Sequence, residues 1–146
     1  MSRSWLLLVH QLPSSTSSFR VRIWRRLQQI GAVAVKDAVY VLPSREDALE
    51  DLNWLAREII DGGGTATIFE ARTLEDGQII ALFQDARSAD YSAVSSKCQE
   101  VEAGLNGTLD TRELSVEELR DAKAELDRLR KRMAGLAKID FFECYA

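Results

Sequence analysis

Acid is missing from the front of this chain. Its first thirty-six residues hold Arg3, Arg20, Arg22, Arg25, Arg26 and Lys36 and not one Asp or Glu. The whole protein is net −4, so the remainder carries −10. Cysteine is scarce too: Cys98 and Cys144 alone, too far apart in sequence for a zinc knuckle and too few for a disulfide framework. The single histidine, His10, has no companions at metal-ligand spacing. With two prolines, few points force the chain to turn. No apolar run approaches the roughly 20 residues of a membrane span, and Trp5–Val9 is too short for a signal-peptide core. No glycine loop runs from a strand into a helix, so no phosphate-cradling cofactor motif is present, and no cofactor is expected. The expected location is the cytoplasm, without membrane attachment.

What remains is ordinary globular composition, 46% apolar and 29% charged in 146 residues, enough for one sizeable core. Trp5–Leu12 is apolar on both alternating faces, as in a central strand covered on both sides or nearly so, and Pro13 stops it. Ser14–Ser18 reads as a polar loop whose last serines cap the next helix. From Phe19 to about Ile30, Phe19, Ile23, Leu27 and Ile30 form a core stripe, with Arg22, Arg25, Arg26 and Gln29 on a second face. Gly31 stops this helix. Ala32–Lys36 and Ala38–Leu42 are short strands about a turn at Lys36-Asp37.

Ser44-Arg45-Glu46-Asp47 resembles a capping box. The helix after it places Ala48, Leu49, Leu52, Leu55, Ala56, Ile59 and Ile60 on one face and ends at Gly62-Gly63-Gly64. Thr65–Arg72 is a fourth strand. The order βαββαβ predicts an α+β protein, a ferredoxin-like sheet domain over residues 1–74. Residues 75–146 turn helical. Tyr91, Val94, Cys98, Val101 and Leu105, then Leu119, Ala122, Leu126, Leu129, Met133 and Leu136, recur at three and four, a seam in which Cys98 is core. Gly104 to Gly107 breaks the pattern, and Ser115-Val116-Glu117-Glu118 is a capping box. A long antiparallel helical hairpin with a C-terminal tail, packed on the first domain as one unit, is expected.

Arg22, Arg25 and Arg26 on one ridge, flanked by Arg20 and joined by Lys36, suit a row of phosphates, because guanidinium groups fork onto phosphate oxygens. The bland alternative is a solvated face paired with local acids such as Asp37, Glu46, Asp47 and Glu50. Trp24 and Trp54 fall off their core stripes and are candidates for a partner interface. Burial under the hairpin is the expectation preferred for them. His10 reads as a structural histidine, and no catalytic set or metal site can be picked out.

WLLLVHQLP, RVRIWRRLQQIGAVAVKDAVYVLP and LAKIDFF together resemble the N-terminal domain of the ChrB family of bacterial chromate-resistance regulators. The resemblance implies a cytoplasmic transcriptional regulator whose domain here takes part in DNA binding. The layout is also similar to the central domain of PaaX-type repressors and to small CRISPR-associated spacer-acquisition nucleases, whose dimer habit makes a homodimer an expectation. Those nucleases carry an aspartate near the end of the first strand, where this chain has Val9-His10-Gln11, so an enzyme is not expected. ChrB continues beyond this segment into a second, chromate-sensing domain, whereas this sequence ends four residues after Phe142. Chromate sensing is therefore not expected of this chain alone. Two other functions stay open: an interaction module meeting an acidic protein surface, and a metal-dependent nuclease of the CRISPR-associated type.

Overall fold

The structure is a computed structural model, described over residues 3–14 and 17–144. The elements follow in the order β1 (Ser4–Gln11), α1 (Ser17–Gln29), β2 (Val33–Lys36), β3 (Val39–Pro43), α2 (Glu46–Asp61), β4 (Thr65–Arg72), α3 (Asp76–Leu109) and α4 (Val116–Lys138). The expected α+β architecture, an antiparallel four-stranded sheet followed by a helical hairpin, is what the chain forms. The backbone falls into two compact units, residues 1–84 and 85–146.

In the first unit the strand order is β2-β3-β1-β4, so β1 is hydrogen-bonded on both sides. Leu6 and Leu8 sit opposite Leu42 and Tyr40 on one side and Glu70 and Ile68 on the other. Residues directly opposite share a face. This is the face under the helices, where α2 packs on β1 and β4 and meets α1. Leu6, Leu8 and Leu42 are buried with Phe19, Ile23 and Leu27 of α1 and Ala48, Leu52, Leu55 and Ile59 of α2. Burying one such aliphatic side chain stabilises the fold by about 1.5–3 kcal/mol.

Trp5 points to the opposite face. Its ring stacks on Phe83, centroids 5.9 Å apart and planes 13° from parallel. Its indole Nε1 donates to Oδ1 of Asp76 at 2.9 Å. The same carboxylate accepts from the Thr73 hydroxyl at 2.7 Å and, through Oδ2, from the Arg3 backbone N–H at 2.7 Å. The other face of β1 is covered at Trp5 but leaves Val9 exposed, in keeping with a strand covered on both sides or nearly so.

Local signals held unevenly. Gly31 ends α1 with φ 80°, a conformation that costs a residue with a side chain. Ser17 and Ser18 are already helical rather than capping; Ser15 and Thr16 of that loop lie outside the described residues. The expected box at Ser44–Asp47 is absent: Arg45 is the N-cap, and no side chain caps it. Leu49 and Ile60, expected in the core stripe of α2, are exposed, because they lie on its flank rather than toward the sheet.

The second unit is built on α4 and the remainder of α3. Ser115 caps α4 with both halves of the box in place, its hydroxyl accepting from the Glu118 N–H and the Glu118 carboxylate accepting from the Ser115 N–H. Val94, Leu129 and Leu136 form the buried cluster, with Tyr91 and Ile139 against it. Arg87 is buried, with Nε 3.2 Å from Asp90 Oδ2 but poorly aligned for a hydrogen bond. Its Nη1 donates to the Ile139 carbonyl at 3.4 Å. The tail is held to α3 by the Tyr91 hydroxyl donating to Asp140 at 3.0 Å.

Three expectations fail in this unit. Gly104 and Gly107 do not break α3, which runs on to Leu109; a helical glycine costs only about 1 kcal/mol against alanine. Cys98 is exposed rather than core. Leu119, Leu126 and Met133 of the proposed seam are exposed as well, so the packed stretch is shorter than the pattern.

Two outcomes test this account. A Cβ on Gly64 would lie 2.5 Å from the Gln11 carbonyl oxygen and 2.8 Å from an Ile59 methyl, while one on Gly77 would meet nothing within 4 Å. Gly64→Ala is expected to lose about 1–3 kcal/mol in urea unfolding. Gly77→Ala, in the first turn of α3, is expected to be neutral or to gain up to about 1 kcal/mol. Asp76 has its pKa lowered from 3.8 to about 2, first by the Arg3 N–H, then by the Trp5 indole and the Thr73 hydroxyl. A carboxylate so depressed contributes stability that is complete above pH 3.8 and lost as pH falls through about 2. The Asp76→Asn variant should therefore lack this part of the acid sensitivity when urea midpoints are compared with wild type across that window.

Candidate nucleic-acid interface

The sheet fixes which way α1 turns. With Phe19, Ile23 and Leu27 pressed inward, the helical repeat leaves Arg22 and Arg25 on the outer surface. Among the described residues neither is paired with a carboxylate. The Arg22 guanidinium lies 5.2 Å from the centroid of the Phe19 ring, which steadies the side chain without using up its N–H donors on an acid.

Arg26 differs. It sits on the α2 side of the helix, and its Nη2 is 2.9 Å from Oε1 of Glu58. Both groups are only part-buried, so the pair is worth no more than about 0.2–1 kcal/mol, yet it ties up this guanidinium. Asp51 is also on that side and lines a shallow hollow of about 380 Å³ with Arg26, Gln29, Ile30, Trp54 and Leu55. Its pKa is raised by burial first, then by Asp47 and Glu50, while Arg26 pulls it down.

Arg20 is turned about 140–160° around the helix from Arg22 and Arg25. With Trp24 it borders a second hollow, of about 320 Å³, whose other walls include His10, Asp37 and Tyr40. Lys36 is exposed at the end of β2, next to Asp37. The five cations therefore form no single row. Arg22 and Arg25 stand together and exposed, Arg26 is engaged, Arg20 belongs to the other side of the helix, and Lys36 lies apart at the end of β2. Tyr40 and Glu58, which shape these two sides, stood out from no pattern in the sequence; only the strand register and the helix pair bring them in.

His10 is a structural histidine in its surroundings. It is buried, its Nδ1 is 3.2 Å from the Ala38 carbonyl, and its ring tilts against Tyr40 with centroids 5.7 Å apart. Burial lowers its pKa from 6.5, and the Ala38 carbonyl works against this. Among the described residues no three of His, Cys, Asp and Glu gather where they could hold a metal ion.

Trp24 and Trp54 are exposed, 54% and 56% respectively, against the preferred expectation that both are buried under the hairpin. Trp54 carries the Arg57 guanidinium 5.7 Å from its ring centroid. No described helix is long and apolar enough to cross a membrane.

Comparison with known proteins bears on the same stretch. A protein described as "Protein ChrB" from Cupriavidus metallidurans is 29% identical over 146 residues, covering 95% of this chain and 40% of the relative. The chain thus spans well under half the length of the curated relative that it matches. A solved structure, a hypothetical protein TT1823 from Thermus thermophilus, is similar at 23% identity and a TM-score of 0.36, covering 51% of this chain and 85% of that one. The family described as "Protein ChrB, N-terminal" matches residues 20–146, from the first arginine of α1 to the end of the sequence, and the chain belongs to it.

Proposed function

We propose that this chain is a DNA-binding regulatory domain of a chromate-resistance regulator, acting in the cytoplasm and not as an enzyme. The observation that carries the proposal is the pair Arg22 and Arg25, outward on one helix and free of carboxylates among the described residues. Family membership supports the regulatory part. Phosphates would replace water on these two guanidinium groups, each able to fork onto two oxygens. Arg20 and Lys36 extend the contact around the helix. Arg26 joins only if phosphate displaces Glu58. Such contacts position a protein without reading bases, so sequence preference must come from other groups.

A second reading has its own observation. Trp54, Leu49 and Arg57 are exposed on α2, a composition suited to a protein partner.

The two readings separate in a fluorescence-anisotropy titration on duplex DNA at several salt concentrations. With two to four phosphate contacts, log affinity should fall against log salt with a slope of roughly −2 to −4. Arg22→Ala with Arg25→Ala should flatten that slope by about 2 and weaken binding at every sequence tested. Arg26→Ala should do less to binding and should cost about 0.2–1 kcal/mol of stability through the loss of Glu58 pairing. Binding that ignores salt, or that survives the double variant unchanged, would reject the phosphate role.

A further inference from the structure

The two edges of the sheet are not alike. β2 is four residues long, its register shifts between Ala34 and Lys36, and it ends in a lysine. Those are the features that keep an edge from pairing with another strand. β4 lacks the first two, although it too ends in a cation, Arg72. All eight of its residues are in register with β1, with no bulge, proline or lysine. Among the described residues no strand pairs with its outer edge, and Phe69 on it is 50% exposed. An edge this long and regular is a template for strand addition.

Among the described residues the helix above it keeps an exposed apolar flank on the same side. Glu58 and Asp51 mark the flank of α2 that faces α1. Leu49, Asn53, Ala56 and Ile60 lie about 160–220° around the helix from Glu58, at the i, i+4, i+7, i+11 spacing of a packing seam. Given the strand order, that flank looks out past β4. Leu49 is 41% and Ile60 54% exposed.

We propose that the β4 edge and this flank of α2 together form the interface with a second copy of the chain. The chain's own geometry favours a second copy over another protein. A two-fold perpendicular to the sheet pairs β4 antiparallel with its equivalent and keeps both α2 helices on the same face, antiparallel to each other. Because α2 packs over β1 and β4, its axis stands about one strand spacing, ~4.8 Å, from that two-fold. The two α2 axes then run about 10 Å apart, the distance at which helices pack. Leu49 comes opposite Ile60 of the second copy, and Asn53 opposite Ala56. The charges match as well. Glu50 in the N-terminal half of the helix comes within reach of Arg57 of the second copy, and the pair occurs twice. The Arg22 and Arg25 surface takes no part, so the interface stands whether or not the chain binds DNA.

Sedimentation equilibrium of the whole chain tests this. The expected species has twice the 16.4 kDa of one chain. Ile60→Lys and Phe69→Lys replace exposed side chains, so the circular dichroism of each variant should match wild type. Each should weaken the dimer about tenfold or more. Glu50→Arg alone should weaken it, and adding Arg57→Glu should restore it, as only an interface with reciprocal pairing allows. Arg22→Ala with Arg25→Ala should leave the mass unchanged, which keeps a failure of the dimer distinct from a failure of DNA binding. A wild-type chain that stays monomeric up to about 0.1 mM overturns the proposal. So does a dimer indifferent to both lysine variants, which would place its interface elsewhere. A strand from a different protein captured on β4 while the chain alone is monomeric also overturns it.

Discussion

β1 is paired along both of its edges, and that double pairing is the constraint on which the first unit depends. A strand held on one side can slide by a residue at modest cost. A strand held on both sides cannot slide without breaking two ladders and turning its buried side chains to the other face. Leu6 and Leu8 therefore stay under the helices, and Trp5 stays on the far side, where Phe83 and Asp76 receive it. The Asp76 carboxylate gathers three donors: the Arg3 backbone and the Trp5 indole, which this register delivers, and the Thr73 hydroxyl three residues before it. The first turn of α3 is in this way fixed to the start of β1.

The same constraint decides what the arginines can do. Once Phe19, Ile23 and Leu27 are committed to the sheet, the remaining positions of α1 are assigned by its repeat alone. Desolvating a guanidinium without a partner costs several kcal/mol, so the cations must face water or acid. Arg26 finds acid in Glu58, whereas Arg22, over the Phe19 ring, and Arg25 meet no carboxylate among the described residues. The ridge of three arginines read from the sequence thus divides into two groups without a carboxylate among the described residues and one already paired.

Much of this was legible in the residues, and the failures share a cause. Period and spacing tell which side chains share a face. That sufficed for the βαββαβ order, for the Phe19, Ile23 and Leu27 stripe, for the stop at Gly31 and for the box at Ser115. They do not tell what covers a face. Leu49, Ile60, Trp24 and Trp54 are exposed although apolar, because a small protein has too little polar surface to cover itself. Ser44 failed as a cap because capping needs the right backbone angles at that residue, and here Arg45 holds the extended N-cap conformation. Gly104 and Gly107 failed as breakers because a long helix can absorb their small penalties. For the cations, residue spacing placed the arginine ridge but could not see Glu58, thirty-two positions later on another helix.

That distant acid also gives the basic surface a boundary. The −10 carried after Lys36 is not spread evenly near the site. Asp47, Glu50, Asp51 and Glu58 all lie on α2, close enough together that Asp47 and Glu50 help to hold the Asp51 proton. A polyanion meeting α1 from the α2 side would face this group, and like charges at short range are repelled within a Debye length of about 8–10 Å. Approach from the outer surface meets Arg22 and Arg25 instead. On the proposed reading the acids of α2 would set direction as the arginines would set affinity, leaving one side of one helix on which a phosphate backbone is attracted and not opposed.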